Sequence, residues 1–305
     1  MDPLRAVHVS SFLLTAVFFG AAKLGPATTW APGVLMLSFL HFASTLVLFY
    51  RDPGVVRKRP VLGLALPLGI LSVSFFWAWS SPTSWPQVLV LFFPLLLWHY
   101  AKQSMGIFVL GLRGSPGMSD PRSQPRQIIL AIFLLLGAFG YLSSQMGSAL
   151  SQSFGFYIPS MGLGGGPWVQ VFRALSLAGL GYLAYVCRKE KAFLPFFTAL
   201  AFYAWMDFSL LGFSLLPFLP ALHATQYLPL AFARWRRSGS AWVFLAATVL
   251  ITTVIFAALR WTPRAVLPLG LFLSSLELVM NVHHYFLDAY IWRARDERNR
   301  RDLGL

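Results

Sequence analysis

Six histidines are spread through this otherwise apolar chain: His8, His41, His99, His223, His283 and His284. Each falls inside a hydrophobic run, and none in a predicted loop. Neutral imidazole is the commonest side-chain metal ligand. Several imidazoles with one or two carboxylates suit iron or another first-row transition metal. Cys187 is the single cysteine, so the chain can build neither an internal disulfide framework nor a thiolate cluster. The expected ligands are His41, His99, His223 and His284, with His283 or His8 in reserve. Asp288, Glu277, Gln103 and Gln226 are expected to orient them through the second ring nitrogen or to manage protons.

The spacing to the nearest basic edge supports one layer. His41 lies 10 residues before Arg51, His99 14 before Arg113, His223 11 before Arg234 and His284 9 before Arg293. At 1.5 Å per helical residue these depths fall between about 13 and 21 Å. His8 enters from the same side and lies slightly shallower. Polar groups accompany the histidines at helical spacing, so each helix presents a polar face. One stripe joins Glu277, Asn281, His284 and Asp288. Others join His99, Lys102, Gln103 and Gly106; His223, Gln226 and Tyr227; Ser38, His41 and Thr45; and His8, Ser11 and Thr15. Such groups are costly in hydrocarbon and normally face the bundle interior. Together they predict a polar chamber. Of the His283–His284 pair, His284 follows the stripe and His283 meets the chamber edge.

The elements that must carry this layer are membrane-spanning helices. The chain has 305 residues, 57% hydrophobic and 11% charged; its mean hydropathy is +0.66. A soluble domain is about 25% charged. Runs of about 20 apolar residues, the length that crosses a bilayer, occur at 6–24, 33–50, 61–80, 87–111, 128–146, 168–187, 194–214, 216–233, 241–259 and 268–292. The stretch 194–233 would reach about 60 Å as one helix, so it must break, and Pro217 and Pro220 mark the place. The Gly-rich loop 147–167, which ends in MGLGGGP, is either a lid or a surface excursion. It lacks the Lys-Ser/Thr of a phosphate-binding loop.

The predicted fold is therefore all-α: a polytopic transmembrane helix bundle of about ten spans, forming a single domain over residues 1–305. With ten spans, 20 of the 24 Lys and Arg residues fall on one side, which the positive-inside rule makes cytoplasmic. Both termini then face the cytoplasm, and a bacterial cytoplasmic membrane is the expected location. The net charge of +14 reads as topology signal and contact with anionic lipids at the cytoplasmic face, not as nucleic-acid binding. The N-terminal apolar run lacks a small-residue cleavage site and reads as a first span. Asp207, inside the seventh span, is either functional or the partner of a buried donor such as a tyrosine. Arg173 reads as an interfacial anchor, and Lys102 as a residue that snorkels to the surface or holds an anionic group.

The residues His8 in the first span, FLHFAS around His41 and LHATQY around His223 resemble the Brp/Blh-like family of bacterial membrane carotene oxygenases. The resemblance covers isolated positions. It implies multi-span proteins whose intramembrane histidines hold iron and which cleave a carotenoid to retinal. This chain departs from that family at His8, which sits in AVHVSS instead of a Pro-His-Gly-type signature, and at Tyr227, where a second histidine is expected. Three readings of the layer stand. The first is a non-haem metal oxygenase or related oxidoreductase acting on a lipophilic substrate from the bilayer, such as a carotenoid, isoprenoid or acyl lipid. The second is a proton-coupled transporter using Glu277, Asp207, Asp288 and the histidines. The third is a metal-free lipid transferase with a histidine base and Lys102. The sequence identifies no redox partner.

Overall fold

The computed structural model describes residues 3–24, 27–81, 85–113, 126–144, 166–207, 219–236, 239–261 and 267–292. Among them the structure is helical, without strands. In chain order the helices are α1 (Pro3–Leu24), α2 (Ala27–Tyr50), α3 (Pro53–Lys58), α4 (Leu66–Ser80), α5 (Trp85–Arg113), α6 (Arg126–Ser144), α7 (Pro167–Lys189), α8 (Leu194–Met206), α9 (Leu219–Arg236), α10 (Ala241–Trp261) and α11 (Leu267–Ile291). A π-helical turn, Val61–Ala65, leads into α4.

Among the described residues, four helical stretches are long and apolar enough to cross a membrane: Leu4–Ala21, Val61–Ser80, Arg126–Ser143 and Pro167–Lys189. Their outward surfaces are apolar too. Val73, Phe76, Trp77 and Trp79 of α4 are all exposed, a face that suits lipid and would be polar on a helix bathed in water. The structure ends α8 at Met206 and begins α9 at Leu219, so 194–233 is not one helix. Pro220 sits in the first turn of α9, where a missing N–H costs nothing. Pro217 and residues 147–165 lie outside the described residues.

The chain divides into two compact units. The described residues of the first fall within Met1–Val34 and Pro86–Pro229, those of the second within Leu35–Trp85 and Leu230–Gly304.

In the first unit α1 packs on α8, and α6, α7 and α8 pack on one another. Missing side chains let them close. A Cβ at Gly140 would collide with the Met206 sulfur, and one at Gly111 with the His8 ring and Pro195. Polar bonds cross the same seams: the Trp205 indole donates to Thr15 Oγ1 at 2.7 Å, and the Ser143 hydroxyl to the Met206 carbonyl at 2.7 Å. Cys187 is 1% exposed. Asp207, the residue after α8, has partners on two helices. Arg173 of α7 donates to Oδ1 at 3.1 Å and Tyr203 to Oδ2 at 2.9 Å. A carboxylate whose oxygens are taken by a guanidinium and a phenol holds helices together.

In the second unit α11 packs along α4 and its π turn. Phe39, Phe42 and Leu273 form one buried cluster, and Phe49, Leu287 and Ile291 another. Residues 51–59, predicted as a loop, contain the one-turn helix α3. The reason is local: the Asp52 carboxylate accepts from the Gly54 and Val55 amides, and Pro53 is preset for a first turn. Val55 and Val56 pack against the second cluster, while Arg57, Lys58 and Arg59 stay exposed. Three arginines lie over aromatic rings here: Arg51 on Trp235 at 4.3 Å, Arg59 on Tyr290 at 5.8 Å and Arg234 on Trp292 at 5.5 Å.

Candidate metal centre

The second unit brings His41 of α2 together with His284 and Asp288 of α11. All three are buried. The imidazole rings meet edge to face with centroids 4.2 Å apart. Asp288 Oδ2 stands 3.3 Å from His284 Nε2 and 3.8 Å from His41 Nε2. On the helix, His284 and Asp288 are one turn apart, so both side chains leave the same face.

Thr45 sits one turn below His41 and links the set. Its hydroxyl donates to Asp288 Oδ1 at 3.0 Å, and the same oxygen lies 3.1 Å from His284 Nδ1. A hydroxyl has one proton. The hydroxyl also lies 3.3 Å from the His41 carbonyl; where its proton goes to the carboxylate, the Thr45 oxygen accepts from His284 and the hydrogen of that ring sits on Nδ1. In the neutral ring Nε2 then carries a lone pair, and it faces a carboxylate oxygen 3.3 Å away. Two such atoms attract when a proton or a metal ion lies between them: a proton on the Asp288 carboxyl or on His284 Nε2, or a bound ion. Cis ligands at about 2.1 Å from one ion stand about 3.0 Å apart, so the His284–Asp288 spacing fits a shared ion. Two histidines and one carboxylate are the donor set of non-haem iron(II) oxygenases.

The first unit holds a second pair. His99 of α5 and His223 of α9 are buried, with Nε2 atoms 3.0 Å apart. In two neutral rings one Nε2–H would donate to the other; two lone pairs at this distance would again fit cis positions on an ion. The Tyr100 ring lies 4.2 Å from that of His223. The Gln103 amide donates to the His223 carbonyl at 3.1 Å, and the Ser104 hydroxyl to Gln226 Oε1 at 3.0 Å. Gln226 Nε2 and Gln103 Oε1 are buried and make no hydrogen bond among the described residues. Both glutamines thus brace the pair through backbone and neighbouring side chain. Lys102, the next residue on α5, is exposed, its ammonium 6.0 Å from the Trp98 ring.

The four expected ligands are thus buried as two pairs, His41 with His284 in the second unit and His99 with His223 in the first. The two reserve histidines are placed elsewhere. His8 Nδ1 bonds Thr198 Oγ1 at 2.7 Å between α1 and α8. His283 Nε2 bonds the Leu62 carbonyl at 2.9 Å. Glu277 is buried on the His284 stripe, where its carbonyl accepts from the Asn281 amide at 2.8 Å. Sequence reasoning put Thr45 on the right face but gave it no role. The signal was available: threonine one turn from one histidine, at the depth of an aspartate one turn from another.

Removing the Thr45 hydroxyl while keeping its shape tests the link. Thr45→Val removes the hydroxyl that bonds both His284 Nδ1 and Asp288 Oδ1. Metal affinity is expected to fall about 10–100-fold, the usual cost of losing such an orienting group, with Thr45→Ser restoring it. Equal affinity in Thr45→Val, measured by competition with a chelator, would show that the hydroxyl does not orient the donors.

No protein-family model, curated protein or solved structure matches the chain.

Proposed function

We propose that this protein is a membrane-embedded, metal-dependent oxidoreductase of the non-haem iron type acting on a lipophilic substrate. The observation that carries the reading is the buried set of His41, His284 and Asp288, whose spacing suits a shared ion. We assign His99 and His223 as further nitrogen ligands, because all four histidines fall in one layer by their spacing to the basic edges. The bundle has ten spans and both termini in the cytoplasm of a bacterial inner membrane, supported by the one-sided distribution of Lys and Arg. Anionic lipids are its neighbours on that side.

Bound there, iron would supply activation of dioxygen for oxygenation or cleavage of the substrate. The protein's own residues do the rest. Thr45 bonds both His284 and Asp288 and so orients them. Gln103, through the His223 carbonyl, holds the end of α9. The apolar walls around Phe42 exclude water, so the carboxylate and imidazoles act in a low dielectric, where each charge counts for more. The substrate enters sideways from the bilayer. The substrate is a carotenoid, an isoprenoid or an acyl lipid, the first supported by the resemblance at His8, His41 and His223.

A second reading is favoured by the same Thr45 bonds. His284 doubly protonated beside Asp288 would be a metal-free acid–base or proton-transfer pair. One measurement separates the two: metal analysis by mass spectrometry on the detergent-purified protein, with His99→Ala alongside. Near-stoichiometric iron that the variant loses supports the oxidoreductase and makes a screen of lipid extracts worthwhile. Wild-type protein that takes up no metal even after anaerobic reconstitution would overturn it.

A further inference from the structure

His283 stands beside a ligand histidine yet faces a different helix, and what it touches is unusual. Its Nε2 donates to the Leu62 carbonyl at 2.9 Å, inside the π-helical turn Val61–Ala65, where the Leu66 amide bonds the Val61 carbonyl five residues back. Such turns are wider than α-helix and recur at functional sites. The next carbonyl in the turn, that of Gly63, accepts the Tyr50 hydroxyl. Tyr50 ends α2 and His283 lies in α11, so one turn is tied to both helices that carry the donors His41 and His284. Gly63 is needed for this fit: a Cβ there would stand 3.1 Å from Val56 Cγ1 and 3.3 Å from Phe49 Cε1.

Successive residues of a helix point about 100° apart. His283 and His284 therefore act on two neighbours at once, the π turn on one flank and α2 on the other. A rotation of α11 by about 20° would carry side chains at a radius of about 5–6 Å through about 2 Å, enough to part His284 and Asp288 from Thr45 and His41. Something must hold that angle, and the bond to Leu62 is placed to do so.

We propose that His283 is not a metal ligand but a positioning residue: by anchoring α11 to the π turn before α4, it sets His284 and Asp288 against His41. This rests on reading those three residues as metal donors. The test compares wild type, His283→Gln and His283→Leu, since glutamine can place an N–H close to where imidazole Nε2 lies and leucine cannot donate. Cobalt(II) binding is followed by absorbance in detergent, and backbone hydrogen exchange is measured on the metal-free proteins. The expected result is that His283→Leu weakens cobalt about 10–100-fold with unchanged band positions, while His283→Gln stays within about threefold of wild type. Exchange should quicken at Val61–Ala65 and around His284 in the leucine variant alone. The proposal is overturned if His283→Leu matches wild type in both assays, or if either variant shifts the cobalt spectrum as loss of a nitrogen ligand would. Wild-type protein that binds no cobalt would remove the metal reading; the exchange data would then decide the clamp by themselves, faster exchange in leucine but not glutamine upholding it and equal exchange refuting it.

Discussion

His284→Ala protein should purify folded and hold essentially no metal. The substitution removes one nitrogen donor and also the ring that meets both Thr45 and Asp288. Loss of an orienting group costs about 10–100-fold in affinity, so loss of the donor itself should exceed about 100-fold. Asp288→Asn gives the sharper contrast. Its amide nitrogen, turned toward His284 Nε2, would donate to that ring while its oxygen accepts from Thr45. The metal-free protein should therefore be as stable as wild type or more so, while metal binding falls with it. Thermal unfolding in detergent and metal analysis on the same preparations check both halves. A pair held by a second proton on His284 predicts the reverse: Asp288→Asn would strand an imidazolium and lower stability.

Asp207→Ala should damage the fold instead of the chemistry. The carboxylate is fully buried and receives both Arg173 and Tyr203. Breaking a buried ion pair costs about 3–5 kcal/mol. The Arg173 side chain is 24% exposed and keeps its bond to Gln170, so part of its charge is recovered by surroundings, and about 2–3 kcal/mol is the expected loss. Asp207→Asn retains an acceptor for Tyr203 and should lose less. Reversible unfolding in mixed detergent measures this. A change below about 1 kcal/mol would mark the pair as one of the solvated kind, which contribute little.

The helices were legible because each had to be continuously apolar. The run read at 61–80 is the described stretch Val61–Ser80, and that at 241–259 lies within Ala241–Trp261. The polar face of α11 was legible for the same reason: Glu277, Asn281, His284 and Asp288 recur at helical spacing, and all are buried. Asp207 was left between two roles; the structure gives it Tyr203, one turn away, and Arg173, 34 residues away, as partners. The different surroundings of His283 and His284 were not legible either, since nothing in HHYFLD announces that a carbonyl at Leu62 will meet the first of them. His8 shows the limit of reading depth alone. It lies in a polar stripe, but α8 presents Thr198 to it and takes it into helix packing. The helix α3 was hidden by its length; six residues with two valines and two cations carry no periodic signal.

The enclosure of Cys187 gives the experimenter an unusual starting point. It is the chain's single thiol, and at 1% exposure it is closed to water-soluble maleimides, so the native sequence already serves as a silent background for labelling. A cysteine introduced into any loop becomes the sole reactive handle on the molecule. Reagents that do not cross the bilayer would then report, loop by loop, which side each one faces, and the orientation of the bundle could be mapped without first engineering a cysteine-free parent.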